Sequence, residues 1–173
     1  MFEAGILHRD ISINNVMMTR NPMTDELKGF LIDLDLAQYL NEPPSRAPYR
    51  TGTLQFMAID ILDEEVVCQH TWRHDLESFY YLLLWVCVTP GYLDGWAAPF
   101  TQAAREKSDM MSRTFERLLK QFKPDYEQVK ELAGNLRGIL FREGRVLYTE
   151  TPVDHQEMYH AMMSAFDEAI AAL

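Results

Sequence analysis

The chain has 173 residues, of which 47% are hydrophobic, and its 16 basic and 26 acidic side chains give a net charge of −10. This length suits one domain with a sizeable core, and the hydrophobic content argues against a disordered protein. The negative charge argues against nucleic acid as the main ligand, because an acidic surface repels phosphate backbones.

Membrane and secretory signals are missing from the sequence. The longest apolar run, from Phe79 to Val88, is too short to cross a bilayer. No basic segment followed by an apolar one opens the chain, so no signal peptide is predicted. The two cysteines, Cys68 and Cys87, cannot form a disulfide scaffold and fit a reducing compartment. We therefore expect an intracellular protein, cytoplasmic or nuclear, without membrane or nucleic-acid partners.

The first third of the chain predicts strands and turns. Residues 30–34 form an apolar run of strand length, and Asn21 and Asp25 mark a turn before it. A hairpin is therefore predicted between Val16 and Leu34. Residues 37–60 are predicted to be irregular, because three prolines there each remove a backbone donor: Pro43, Pro44 and Pro48.

The remainder of the chain predicts helices. Asp75 is a plausible N-cap for a helix that continues to Val88, and the apolar residues on every side of this helix indicate that it is buried. Periodicity alone leaves a strand as the alternative for this segment. Three further groups recur at helical spacing: Met111, Phe115, Leu118, Leu119 and Phe122; Tyr126, Val129, Leu132, Leu136, Ile139 and Leu140; and, after Pro152, Met158, Met162, Phe166 and Ile170. Strands followed mainly by helices predict a mostly α, α+β fold.

The segment from His8 to Asn15 has the spacing His-Arg-Asp-x-x-x-x-Asn, which is the pattern of the protein kinase catalytic loop. In that chemistry the aspartate, here Asp10, accepts or orients the proton of the substrate hydroxyl. The asparagine, here Asn15, helps to hold a magnesium ion on the phosphates. The alternative is a polar turn whose side chains satisfy one another.

Two later segments strengthen this interpretation. Leu31 to Asp35 ends the predicted strand, with Asp33 where the kinase Asp-Phe-Gly aspartate would chelate magnesium and Asp35 in place of the glycine. Aspartate tolerates unusual backbone angles, although Asp35 can equally be a simple turn residue. The segment Thr51–Asp60 resembles the end of an activation segment, with Ala58-Ile59-Asp60 at the Ala-Pro-Glu position.

Together with His74–Ser78, which resembles the start of the central C-lobe helix, these motifs resemble the fungal-type protein kinase family over about residues 4–90. The resemblance implies a kinase-like C-lobe over residues 1–173, with a small β-hairpin at the catalytic loop (8–15) and an activation segment at 33–60. It implies transfer of the ATP γ-phosphate to a serine or threonine hydroxyl of a protein substrate, with ATP and Mg²⁺ as cofactors. It also assigns Asp10, Arg9, Ser12 and Thr53 to catalysis, and Asn15 and Asp33 to the nucleotide and its metal.

The same resemblance assigns supporting contacts to Thr53 and Asp75. The kinase threonine that matches Thr53 bonds the catalytic aspartate, and the helix aspartate that matches Asp75 holds the catalytic loop through its backbone. Ser12 stands where many serine/threonine kinases carry a lysine that steadies the transferred phosphate. Arg9 is either a surface arginine or the receptor for a phosphate on Ser45, Tyr49 or Thr51.

The departures from the family lie before the catalytic loop. No Gly-rich loop precedes His8, and the first lysine is Lys28. We therefore expect a C-lobe without its N-lobe, from a truncated gene model or a fragment, that is inactive alone. We also expect an exposed apolar patch near the helix of residues 79–88, which would aggregate or recruit a partner.

Two other functions stay open. A non-catalytic, pseudokinase-like interaction module fits the missing lysine. A small-molecule phosphotransferase of the aminoglycoside or choline kinase type usually carries glycine where Arg9 stands, so Arg9 favours a protein substrate. His70 and His74 have the spacing of a metal pair, but no further histidine lies nearby in sequence to complete a site.

Overall fold

Helices form most of the described structure. The computed structural model describes residues 5–24, 27–40, 50–65, 69–142 and 147–172. Its strands and helices are β1 (Ile6–Leu7), β2 (Val16–Arg20), β3 (Leu27–Leu31), β4 (Gln38–Tyr39), α1 (Ile59–Leu62), α2 (Trp72–Cys87), α3 (Phe100–Ser112), α4 (Phe115–Leu119), α5 (Lys130–Phe141) and α6 (His155–Ala171). Short 3₁₀ turns cover Leu54–Phe56, Asp94–Ala97 and Pro124–Val129. The predicted fold class, mostly α with a small β component, is confirmed.

The predicted hairpin is confirmed as the antiparallel pair β2–β3, in which Val16 lies opposite Leu31. The second strand ends at Leu31 and does not reach Leu34 as predicted. It ends there because Asp33 adopts a left-handed φ of 63°, which lies outside the strand region. The apolar character of residues 32 and 34 therefore predicted a longer strand than the backbone allows.

A second, smaller sheet places the predicted catalytic loop next to the chain that follows the hairpin. Strands β1 and β4 pair antiparallel, with Ile6 opposite Tyr39 and Leu7 opposite Gln38. The loop that starts at His8 directly follows β1. The hydrogen bonds of this sheet therefore hold the loop against residues that come about 30 positions later in the chain.

Helix α2 begins at Trp72, three residues before the predicted cap at Asp75. The backbone N–H of Thr71 donates to Nδ1 of His74 at 2.9 Å, so Thr71 caps the helix and His74 satisfies a donor at its start. Asp75 consequently lies within the first turn, where its carboxylate is available to another segment. No residue of α2 is exposed, which confirms the prediction of a buried helix.

The core lies around α2. Helix α2 packs against α5, and α5 packs against α6. The largest completely buried apolar side chains come from these helices and their neighbours: Trp96, Tyr80, Tyr81, Phe141, Leu84, Met111, Leu118, Leu136 and Leu140. A smaller cluster joins α1 to α3 through Met57, Ala58, Ile61, Leu62, Ala103 and Ala104. Helices α2 and α3 therefore both pack against the residues that lead into α1.

The apolar periodicity from Met111 to Phe122 predicted one helix, whereas the structure divides it between α3 and α4. Asp109 accounts for the break, because its carbonyl accepts the N–H groups of both Arg113 (2.8 Å) and Thr114 (3.1 Å). A new helix then begins after Thr114. The apolar spacing survives because both short helices face the same core.

Most of the large exposed apolar side chains lie in the hairpin region, and others are Val153, Met163 and Ile170. No residue of α2 itself is exposed, and the apolar patch expected near residues 79–88 stays a prediction. The large apolar residues of 13–40 that are at least 40% exposed are Ile13, Met17, Met18, Met23, Leu27, Phe30, Ile32, Leu34, Tyr39 and Leu40. None of the helices within the described ranges is both long and apolar enough to cross a membrane.

Several residues named from the sequence lie outside the described residues. They are Asp25, Pro43, Pro44, Ser45, Pro48, Tyr49 and Cys68.

Candidate active site

The carboxylate of Asp10 is held by donors from two segments. Its Oδ1 accepts the backbone N–H and the hydroxyl of Thr53, both at 2.8 Å. Its Oδ2 accepts Nδ2 of Asn15 at 3.1 Å, and the same Nδ2 donates to the Asp10 carbonyl at 2.8 Å. The half-buried carboxylate therefore has a fixed orientation, set jointly by residues 8–15 and 51–60.

Gly52 makes the approach of these two segments possible. Its φ is 119°, which L side chains rarely adopt, and a Cβ at this position would lie 2.7 Å from the carbonyl oxygen of Arg9. Only glycine lets the two backbones come this close without displacement. The contact between Thr53 and Asp10 thus depends on the residue that precedes Thr53.

Asp75 holds the catalytic-loop backbone from below, as the resemblance implied. Its Oδ2 accepts the N–H of His8 at 2.7 Å, and its Oδ1 accepts the N–H of Arg9 at 3.0 Å. Nε2 of His70 also lies 3.0 Å from Oδ1. These bonds support Arg9 in a left-handed conformation with φ of 68°, which is uncommon for a non-glycine residue.

Arg9 is not a surface arginine, since it is only 7% exposed. Its guanidinium donates to Oε1 of Gln38 and to Oγ1 of Thr51, both at 3.2 Å. Burial lowers the pKa of Arg9 and the nearby Asp75 carboxylate opposes that shift; arginine nevertheless stays protonated in proteins. Arg9 therefore joins the catalytic loop to β4 and to the segment that begins at Thr51.

Asp33 lies next to Asn15 through the hairpin register. The carbonyl of Asn15 accepts the N–H of Ile32 at 3.0 Å, and Ile32 directly precedes Asp33. The carbonyl of Ile32 in turn lies 3.0 Å from Nε2 of the buried His8. The unusual backbone angle expected at Asp35 is found instead at Asp33, which is exposed.

The oxygen atoms of Asn15 and Asp33 have the right chemistry for Mg²⁺. Because Nδ2 of Asn15 is directed at Asp10, its amide oxygen is left for another partner. Within the described ranges, no group of three or more His, Cys, Asp or Glu side chains could hold a metal ion. Mg²⁺ usually takes one or two protein oxygens together with substrate phosphates, so the pair Asn15 and Asp33 fits this ion.

Ser12 differs from the other predicted site residues because it is buried, with 1% of its surface exposed. Its carbonyl accepts the N–H of Asn15 at 3.1 Å and closes the turn that carries the asparagine. The structure thus brings Arg9, Asp10, Asn15 and Thr53 together and places Ser12 within the supporting turn. Asp33 is connected to this group through the backbone bond of Ile32 to Asn15.

The comparison with protein families agrees with this geometry. The model of the family described as fungal protein kinase matches residues 1–87, which is half of the chain. The chain belongs to the fungal protein kinase family. A search of curated proteins gave no match. The family match indicates kinase-like function at the level of the family.

Sequence reasoning missed several residues that support the site in this member of the fungal protein kinase family. Gln38 contacts Arg9, and His70 contacts Asp75. Gln38 carried no motif, and His70 was singled out for its spacing from His74 and not for this contact. Glu77 and Lys107 bind the backbone that follows Thr53, at Ile59 and Met57 respectively. Lys107 gave no signal in the sequence, because a lone lysine in a helix normally indicates a solvated face.

Proposed function

We propose that this chain is the C-lobe of a serine/threonine protein kinase, spanning residues 1–173, that transfers the ATP γ-phosphate to a protein hydroxyl. The catalytic loop would be residues 8–15 and the activation segment residues 33–60. The observation that supports this most is the orientation of the Asp10 carboxylate by Asn15 and Thr53. An oriented carboxylate is what a general base requires.

In this proposal Asp10 accepts the proton of the substrate hydroxyl as the hydroxyl oxygen bonds to the γ-phosphorus, while the bond from that phosphorus to the bridging oxygen breaks and ADP leaves. One carboxylate oxygen is anchored by two bonds from Thr53 and the other by a single bond from Asn15. The oxygen with the single bond therefore retains more capacity to accept a proton. Thr53 would keep the carboxylate turned toward the substrate and favour serine or threonine.

Asn15 and Asp33 would hold Mg²⁺, and Mg²⁺ when bound would neutralise the charge of the phosphates. Asn15 contributes to both functions, since its Nδ2 fixes Asp10 and its oxygen is left for the metal. Ser12 lacks the charge of a phosphate-binding lysine, so its proposed part in catalysis is to shape the loop through its carbonyl. Arg9 would position the activation segment through Thr51.

The second candidate is a non-catalytic, pseudokinase-like interaction module. The observation that favours it is the exposed apolar surface of residues 13–40, defined by the ten side chains given above. We propose that a protein partner covers this surface in either case. The two functions differ in whether the chain binds magnesium and nucleotide.

Thermal shift with ATP, with and without Mg²⁺, tests the proposal on the full chain. We expect Mg²⁺-dependent stabilisation by ATP that Asp33→Asn abolishes, because the substitution removes the carboxylate charge from the metal. Asparagine also tolerates the left-handed conformation of Asp33, so the fold is retained. Asp10→Asn should keep the shift, since Asp10 is assigned to proton transfer and not to the metal.

The matched control is Asp35→Asn, which removes an exposed acid two residues away. It should leave the shift unchanged. Absence of a Mg²⁺-dependent shift in the wild-type chain would favour the interaction module. Equal losses in the Asp33 and Asp35 variants would contradict the assignment of Asp33 to the metal.

A further inference from the structure

Lys107 is a completely buried lysine outside the site described above. It lies on α3 and has 0% of its surface exposed. It forms no ion pair within the described ranges of the chain. Burying an ammonium group without a paired carboxylate is costly, whereas an apolar side chain of the same length would pack without that cost. The contacts of its ammonium group therefore deserve a specific explanation.

The ammonium group of Lys107 binds the backbone that connects Thr53 to α1. Nζ donates to the carbonyl oxygen of Met57 at 2.6 Å and to that of Leu54 at 3.4 Å. It also lies 4.1 Å from the ring centre of Tyr81 and 5.2 Å from that of Trp96. Two backbone carbonyls and two aromatic faces thus replace the water around the ammonium group.

Glu77 binds the far end of the same backbone. Its Oε1 accepts the N–H of Ile59 at 2.8 Å and the hydroxyl of Tyr81 at 2.6 Å. Its Oε2 pairs with Arg73, which is also completely buried, at 2.5 Å. Tyr81 therefore contacts both Lys107 and Glu77, and the two side chains hold the segment 53–59 from α3 and α2.

At its other end, the segment 53–59 contacts Asp10 through Thr53. Thr53 donates two hydrogen bonds to Asp10, and its carbonyl accepts the N–H of Phe56 at 2.9 Å and of Met57 at 3.2 Å. The turn that Lys107 holds is therefore the same turn that presents Thr53. A shift of this turn would move both donors away from the Asp10 carboxylate.

We propose that Lys107 is a positioning residue that fixes the segment 53–59 and, through it, the orientation of Asp10. The catalytic purpose of this arrangement rests on the proposed kinase function, but the mechanical link between Lys107 and Thr53 does not. A residue that only fills the core would stabilise all neighbouring elements. A positioning residue of this kind affects the segment 53–59 selectively.

Amide hydrogen exchange of the full chain, resolved by mass spectrometry, tests the proposal. Lys107→Met keeps the length and the apolar stem but removes the donor. We expect exchange over residues 53–59 to increase by about tenfold or more, the equivalent of about 1.4 kcal/mol. Exchange over α6, which does not contact Lys107, should stay as in the wild-type chain.

The matched control is Lys123→Met. Lys123 also lies over an aromatic ring, with Nζ 5.0 Å from the centre of Tyr126, but no contact joins it to the segment 53–59. Its variant should show wild-type exchange there. Unchanged exchange over 53–59 in Lys107→Met would overturn the proposal, and so would an equal increase throughout the chain.

Lys107→Gln provides a second variant if Lys107→Met does not fold. It keeps an N–H donor on a shorter side chain, so exchange over 53–59 should lie above the wild-type value, again without a change over α6. Wild-type exchange in this variant would overturn the proposal. None of these exchange measurements uses nucleotide. Absence of a Mg²⁺-dependent thermal shift with ATP would therefore contradict the kinase function, while the exchange data would still test the role of Lys107 independently.

Discussion

Two of the three non-glycine residues that adopt a positive φ in the described ranges lie at the candidate active site, Arg9 at 68° and Asp33 at 63°. Such conformations cost about 1–3 kcal/mol each and persist only where surrounding contacts impose them. At Arg9 those contacts are the backbone bond to Asp75 and the side-chain bonds to Gln38 and Thr51. The loop is therefore pre-organised by its neighbours and not by its own conformational preference.

Gly52→Ala should be destabilising and should separate Thr53 from Asp10. The new Cβ would lie 2.7 Å from the Arg9 carbonyl, at a residue whose φ of 119° is strained for alanine. We expect a loss of about 1–3 kcal/mol in the free energy of unfolding, measured by urea denaturation.

Gly134→Ala is the matched control for that substitution. Gly134 lies within α5, and a Cβ there meets nothing within 4 Å. Alanine should stabilise the helix by about 0.5–1 kcal/mol, because it restricts the unfolded chain and favours helix. If Gly52→Ala is as well tolerated as Gly134→Ala, the backbone of Gly52 does not lie as close to the Arg9 carbonyl as described here.

At the scale of elements, the β2–β3 hairpin differs from the helices in how little of its surface is covered. Met17 and Phe30 are opposite each other in the register and are 48% and 49% exposed, and Met18 is 74% exposed. A two-stranded hairpin is marginally stable by itself. Its apolar surface therefore suits a protein partner that packs on it, as proposed above.

The wild-type chain should consequently self-associate as its concentration rises, when no partner is present. The double variant Met17→Thr/Phe30→Thr should reduce this association, because threonine keeps the strand preference and removes apolar surface. Sedimentation velocity at several concentrations measures the effect.

Val153→Thr serves as the control, since Val153 is an exposed apolar residue that lies outside the hairpin. It should associate like the wild-type chain. A wild-type chain that stays monomeric, or a double variant that associates equally, would contradict a role for the hairpin surface.

At the scale of the whole molecule, two buried ionisable groups, His74 and Lys107, make the stability of the fold depend on pH. His74 is 2% exposed, and burial, followed by the charges of His70 and Arg73, lowers its pKa to about 3, while Asp75 acts in the opposite direction. Burial likewise lowers the pKa of Lys107 well below its usual value, with Glu77 opposing. At these two groups the folded chain therefore binds fewer protons than the unfolded chain does.

Stability should fall as the pH falls below 6.5, the ordinary pKa of histidine, toward about 3. In that interval the unfolded chain binds a proton at His74 that the folded chain excludes, which favours unfolding. Between pH 7 and pH 5 the contribution of His74 is a loss of about 2 kcal/mol. Lys107 acts in the same direction at higher pH, up to the ordinary lysine value of 10.5.

His74→Gln isolates the histidine contribution, because glutamine at this position can accept the Thr71 N–H without titrating. Urea midpoints at pH 5, 6 and 7 should therefore decline less in this variant than in the wild-type chain. His160→Gln, which removes an exposed histidine, should retain the wild-type decline. Identical pH dependence in the wild-type and His74 variants would show that His74 does not control acid stability.

The sequence by itself determined the family, the hairpin, the helical remainder and the principal residues of the candidate site. Local spacing was sufficient for Asp10 and Asn15, because five residues of one loop bring them into contact. It also led to Asp75 as the support of the loop, through the family resemblance. Apolar residues on every side indicated the buried helix α2, because a helix that is buried all round has apolar residues in every turn.

Only the tertiary structure decided where the strand and helices end and how residues distant in sequence support the site. The unusual backbone angle expected at Asp35 occurs at Asp33, and the N-cap of α2 expected at Asp75 is Thr71. Backbone contacts set these details, and residue preferences do not. Lys107 was not predictable, since a lysine in a helix is usually solvated. Its burial follows from the meeting of α2 and α3 beneath the segment 53–59, which no local pattern encodes.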